Sequence, residues 1–346
     1  MVFREFILWL INHYKTMPEK FETYQKSKVE KPKKMKIYEQ PKVKKLEKGE
    51  SEAYVFESFH NLGFKIEDMP ELYERLIELS SIEKSHFKDA VHMALMVDEI
   101  WADLESRAGI TLNKKELKLS CLFHDIGKSG PVNADRTQRR LIQMLFNSKY
   151  FSPNSEGFKD KGSPKDITIE QALKSETQIS KEDKEKIIEY LGTLSVHIYN
   201  PENKKAKSQK LDIKSHKMID FWREHDYWTW DLLKEHGNDQ VTDEVKKVAS
   251  THHALEGHDP AAVDGFIRDE NITLELLDKY LMITLLDKYQ AWIGRAGLDH
   301  EKAIIKLTEQ IEESFKAEII NEDIRNRFLR YLQIIKDHDM TKYRNM

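Results

Sequence analysis

The chain has 346 residues, of which 39% are hydrophobic and 34% charged, with a net charge of −4 and one cysteine, Cys121. This composition predicts a soluble, helix-rich protein long enough to bury a large core, and it excludes an internal disulfide. Residues 1–50 hold 13 Lys+Arg against 7 Asp+Glu, a balance of +6, so the rest of the chain carries −10. An acidic body does not attract nucleic acid as a whole, which leaves that role only to local basic segments.

The first predicted element is a helix over residues 1–25. Its apolar run "FILWLI" has six residues, too few to span a bilayer or to form a signal-peptide core, and its apolar face is expected to dock on the body. From Lys26 to Glu50 the chain is Lys-rich, with Pro32, Pro41 and Gly49, and reads as a solvated linker or arm. From Pro70 onward the apolar spacing is helical nearly throughout. "PELYERLIELS" opens on a proline suited to a first helical turn. "KDAVHMALMVDEIWADLESRAG" is a long amphipathic helix stopped at Gly109. "NKKELKLSCLFHDIG" opens at Asn113 as N-cap and stops at Gly127. Cys121 lies in its apolar run and is expected to be a buried small residue.

Further on, "ADRTQRRLIQMLFNSKYF" and "SKEDKEKIIEYLGTL" read as helices, the second with Ser180 and Asp183 at its start. Residues 152–166 and 200–210 read as loops. "FWREHDYWTW" supplies Phe221, Trp222, Tyr227, Trp228 and Trp230, expected to pack in the core, with base stacking as the alternative. That run lies in a helical stretch, four more helical stretches follow it, and no strand series or repeat appears. The fold class is therefore all-α. The expected organisation is an N-terminal helix and Lys-rich arm over 1–69, a main domain over 70–300 with an insertion at about 130–210, and C-terminal helices over 301–346. The expected location is cytoplasmic.

One constellation carries chemistry. His124 and Asp125 are neighbours, and neighbours on a helix point about 100° apart. They do not readily chelate one ion from one face, but they can hold two ions with the carboxylate bridging. Such a site needs further imidazoles and a carboxylate from other helices. His92 lies on the buried stripe of the preceding helix. His216 opens a helix at "SHKMIDFW", and His252 and His253 close one at "VASTHHALEG". Asp287 sits in the apolar run "LMITLLDKYQAWI", where a carboxylate is costly unless paired or bound to metal. His86 is read as a surface residue, and His197, His225 and His236 as ordinary residues in polar surroundings.

The order His, His-Asp, His, His-His, Asp over residues 86–296 resembles the HD-domain superfamily of metal-dependent phosphohydrolases. The nearer likeness is to the HD-GYP branch of cyclic di-GMP phosphodiesterases. It rests on "VHMALMV", "CLFHDIGK", "SHKMIDF", "ASTHHALEG" and "LLDKYQAW". The resemblance implies an HD-type helical bundle. Its metal ligands would be His92, His124, Asp125, His216, His252 and Asp287, with His253 as an extra ligand. Lys128 would contact a phosphate oxygen. The Gly-Tyr-Pro signature is absent, with "GHDP" in its place. Lys88 stands where some members carry a glutamate for a third metal, and "GRAG" leaves only Arg295 for a second phosphate contact.

Imidazoles with carboxylates suit two transition-metal ions, iron or manganese, better than magnesium. Two such ions flanking a hydroxide, with Asp125 and Lys128 beside them, would serve hydrolysis of a nucleotide phosphoester or a cyclic dinucleotide. Other readings stay open. One is an HD-type nuclease acting on single-stranded nucleic acid held by the Lys-rich arm. Another is a diiron oxygenase resembling myo-inositol oxygenase, and a third is a binding module with an inactive site. No Walker loop or dinucleotide fingerprint is present.

Overall fold

In the computed structural model, residues 48–81, 86–107, 113–153, 155–158, 163–200, 205–255 and 273–345 are described. The predicted helix over 1–25, most of the Lys-rich arm and "GHDP" lie outside them. The described chain is mostly helical, with twelve α-helices and one two-stranded sheet. The first four helices are α1 (Lys48–Asn61), α2 (Pro70–Ser80), α3 (His86–Arg107) and α4 (Lys114–Phe123). As expected, Pro70 opens α2 and Asn113 caps α4, its side chain accepting the N–H groups of Lys115 and Glu116. The α4 helix ends before Gly127, at Phe123, and the chain tightens into a 3₁₀ turn over Ile126–Ser129.

The insertion region contributes α5 (Arg136–Phe146), α6 (Ile169–Ser175) and α7 (Lys181–Leu191). Asp135 and Thr168 cap the first two through reciprocal bonds with Gln138 and Gln171, and Ser180 caps the third at Asp183. Then comes a departure from the predicted loop. Ser195–Asn200 (β1) and Lys205–Lys210 (β2) form an antiparallel hairpin. Val196 and Ile198 alternate toward the core, whereas the exposed side chains of residues 207–210 conceal the second strand from a hydrophobicity reading.

The remaining helices are α8 (Met218–His236), α9 (Asp243–Ala249), α10 (Leu274–Gln290), α11 (His300–Lys316) and α12 (Glu322–Lys336). Two hydrophobic cores result. The larger draws on α1–α4 and α9–α12, and the smaller on α5–α7, β1 and the first half of α8. The α8 helix joins them: Phe221 and Trp228 enter the smaller core, Leu232 and Leu233 the larger. The aromatic run is thus mainly packing. Trp222 gives its indole N–H to the Leu145 carbonyl (2.9 Å), and Tyr227 stacks on His197 with ring centres 3.7 Å apart. No helix among the described residues is long and apolar enough to cross a membrane.

Candidate metal centre

The centre forms where the two cores meet. The end of α4 brings His124 and Asp125, α8 brings His225 and Asp226, the turn after α9 brings His252 and His253, and α10 brings Asp287. Ligand atoms of His124, Asp125 and His252 lie within 4.8 Å of one another, as do those of His225, Asp226, His252 and His253. His124, Asp125, His225, Asp226, His252 and Asp287 are all buried.

Three histidines are oriented alike. The Nδ1–H of His124 donates to Cys121 O at 2.8 Å, that of His225 to Trp222 O at 2.5 Å, and that of His252 to Ala249 O at 2.9 Å. A carbonyl only accepts, so each bond places the ring proton on Nδ1 and leaves the lone pair on Nε2. These Nε2 atoms converge on carboxylates. His124 Nε2 is 3.5 Å from Asp125 Oδ2 and 3.8 Å from Asp287 Oδ1. His225 and His252 Nε2 are 3.3 and 3.7 Å from Asp125 Oδ1, and 3.4 Å from each other. His124 Nε2 and Asp125 Oδ1 are buried without a hydrogen bond. Bare nitrogens and carboxylate oxygens facing one another in a dry site repel unless a cation lies among them. The donor set therefore fits a metal ion, and its imidazole-rich chemistry suits a transition metal.

The electrostatics agree. Burial pushes His225 down to about 4, against the pull of Asp125. Burial and the neighbouring His253, His124 and His225 hold His252 well below the usual imidazole range. Burial alone would raise the Asp125 carboxyl, but His124, Lys128, His225 and His86 hold it well below its usual range. His225 and His252 are thus neutral and Asp125 is charged, the forms a metal binds.

Two lysines flank the cluster. Lys128 Nζ lies 2.6 Å from Asp125 Oδ2 and 3.3 Å from His86 Nδ1. Lys288 Nζ lies 3.3 Å from Asp287 Oδ2 and 3.4 Å from His253 Nδ1. Gly127 explains itself here. A Cβ on it would sit 1.9 Å from the His225 carbonyl and 2.7 Å from Thr229, so only glycine lets this turn touch α8. Its N–H donates to Thr229 Oγ1, whose hydroxyl donates to His124 O.

Several expected site residues are placed differently. His216 does not join the cluster. It lies in the turn before α8, half-buried, with Nδ1 accepting the Asp212 N–H. His225, nine residues later, takes that place. A signal for it exists in the chain: Phe221, His225, Trp228 and Leu232 recur at helical spacing, so the polar neighbours Arg223 and Glu224 mislead. His86 is mostly buried against Asp125, at 3.4 Å, rather than on the surface. His92 is buried but lies outside both ligand groups. Its Nδ1 accepts from the Gln290 amide at 3.1 Å, one turn past Asp287 on α10. That bond is the reverse of the cluster pattern and puts the His92 proton on Nε2. Burial and Lys88 push its pKa down to about 3. Arg295 ends a π-helical turn, and its side chain is outside the described residues. Asp226 and Lys288 were not anticipated. Asp226, at 0% exposure, sits 3.4 Å from His252 Nδ1 and 3.1 Å from His225 Nε2.

The chain matches no protein-family model, no curated protein and no solved structure among those compared.

Proposed function

We propose that the chain is a metal-dependent phosphohydrolase acting on a nucleotide phosphoester, with a cyclic dinucleotide as the narrower candidate substrate. The observation that carries this reading is the convergence of three Nε2 lone pairs on Asp125 and Asp287 between two lysines. His124, His225, His252, Asp125 and Asp287 would hold the metal, with His253 and Asp226 beside them. Bound iron or manganese ions would supply Lewis acidity, lowering the proton affinity of water and neutralising charge on phosphoryl oxygens. Lys128 and Lys288 offer ammonium groups to those same oxygens, a fit for an anionic substrate. The Nδ1 bonds to backbone carbonyls hold the imidazoles in place, so little reorganisation accompanies binding. The nucleotide part of the proposal rests on the resemblance of "CLFHDIGK" and its outlying histidines to HD-domain phosphohydrolases.

The test is elemental analysis of wild type and Asp125→Ala, with hydrolysis of bis-p-nitrophenyl phosphate measured on the same samples. Transition metal and turnover in wild type, both lost in the variant, are expected. Metal without any phosphoester turnover, there or on cyclic dinucleotides, counts against hydrolysis. Absence of metal after anaerobic, iron-supplemented preparation ends the reading.

A further inference from the structure

Lys279 has a fully buried side chain on α10, in a stretch with no obvious need for a charge. Its ammonium meets three carboxylates. Glu116 Oε2 on α4 is 2.7 Å away, Glu275 Oε1 on its own helix 3.2 Å, and Glu244 on α9 is the third contact. Glu116 Oε1 also accepts the hydroxyl of Thr242, the N-cap of α9, at 2.9 Å. One buried cation therefore ties together α4, α9 and α10.

These are the three helices that lead to His124, His252 and Asp287, and the offsets coincide. Glu116 precedes His124 by eight residues, Glu244 precedes His252 by eight, and Lys279 precedes Asp287 by eight. On α4 and α10 that is about 12 Å at the helical rise. The segments meet at both levels, since His124 Nε2 is 3.8 Å from Asp287 Oδ1 and the His124 and His252 rings are 4.8 Å apart. They therefore run parallel and in register. Between the levels, Cys121, Val248 and Ile283 are buried apolar residues one turn below the ligands. Apolar side chains resist separation but tolerate sliding, because the hydrophobic effect has no direction. Ion pairs with hydrogen-bond geometry do fix an axial position.

We propose that Lys279 is a positioning residue, a register lock that sets the axial alignment of the segments carrying His124, His252 and Asp287 and so the spacing of their ligand atoms. The lock rests on the metal-site reading above. Glu116 and Glu244 are its cross-helix arms. Glu275 lies on the same helix as Lys279 and can neutralise it without setting any register.

That difference supplies the test. Glu116→Gln, Glu244→Gln and Glu275→Gln each remove one negative charge from the same lysine. Cobalt(II) titration of the full-length chain, followed by its visible absorption, reads affinity and coordination together. Circular dichroism reports folding. E116Q and E244Q are expected to weaken cobalt binding by about tenfold or more, as much as the loss of a bond that orients a ligand directly, and to alter the spectrum. E275Q is expected to bind as wild type. Lys279→Met should show the largest loss; if it does not fold, the glutamine series still decides. Equal effects from all three glutamine variants, or lowered melting temperatures with unchanged cobalt affinity, would overturn the lock. Failure of wild type itself to bind cobalt would instead overturn the metal site on which it rests.

Discussion

Two buried polar clusters stand on either side of the Ile126–Ser129 turn, and they solve burial in opposite ways. On one side Arg75, with 0% exposure, gives all five of its N–H groups to acceptors. Nε binds Glu71, Nη1 binds Ser129 Oγ and Gly130 O, and Nη2 binds Pro131 O and Val132 O, at 2.7–3.2 Å. On the other side His124 Nε2 and Asp125 Oδ1 are equally dry but have no hydrogen bond. The first cluster is complete within the protein and anchors the loop after Lys128. The second is an excess of electron pairs that a cation would complete. Burial alone therefore does not separate the two clusters; the unfilled hydrogen-bonding capacity of the second does.

The contrast can be broken from either side. Arg75→Met should have the largest effect, about 3–5 kcal/mol of stability, because Glu71 and four loop acceptors lose their donor. Urea unfolding with and without chelator should give the same loss, since that cluster needs no metal. A loss seen only in the metal-loaded chain would contradict the division drawn here.

The second cluster should respond to acid instead. His225 titrates at about 4 in the folded chain because burial disfavours its charged form, against an ordinary value of 6.5. Between these values the unfolded state binds more protons, so stability falls as pH drops from 6.5 toward 4, by about 3 kcal/mol for this group. His252 is shifted in the same direction. The Asp125 contribution persists through this window and is lost only at lower pH, because its carboxyl is held below its ordinary range. Thermal unfolding of the chelator-treated chain across this range should show the slope, and a flat profile would count against neutral, buried imidazoles.

Gly127→Ala should cost about 1–3 kcal/mol, the usual range for overpacking, as the turn is forced off α8. Since the same turn carries Lys128, turnover in the proposed hydrolysis should fall further than stability explains. Equilibrium unfolding and steady-state rates on one preparation separate the two effects.

How much of this was legible in the chain differs from residue to residue. Asp287 stands out as a carboxylate in an apolar run, whereas His124, Asp125 and His252 are readable only as members of an ordered set that resembles HD-domain sequences. Asp226 and Lys279 depart from their local patterns too, but their meaning depends on partners far away in sequence. Lys279 reaches Glu116 across 163 residues. His225 was obscured by polar neighbours and His216 favoured by its place at a helix start. The hairpin was obscured because pairing, rather than hydrophobicity, makes Lys205–Lys210 a strand.

The His/Asp set was suggested by its resemblance to HD-domain sequences; local chemistry and periodicity by themselves determined the helical class, the caps at Asn113 and Ser180 and the burial of Cys121. These depend on backbone propensity and on the cost of placing a polar group among apolar ones, both of which act within a few residues. Only the tertiary structure decided that His225 rather than His216 joins the cluster, that His92 turns to Gln290, and that Lys128 and Lys288 flank the carboxylates. Those outcomes are set by helix register across long sequence separations, where one residue of shift turns a side chain by about 100°.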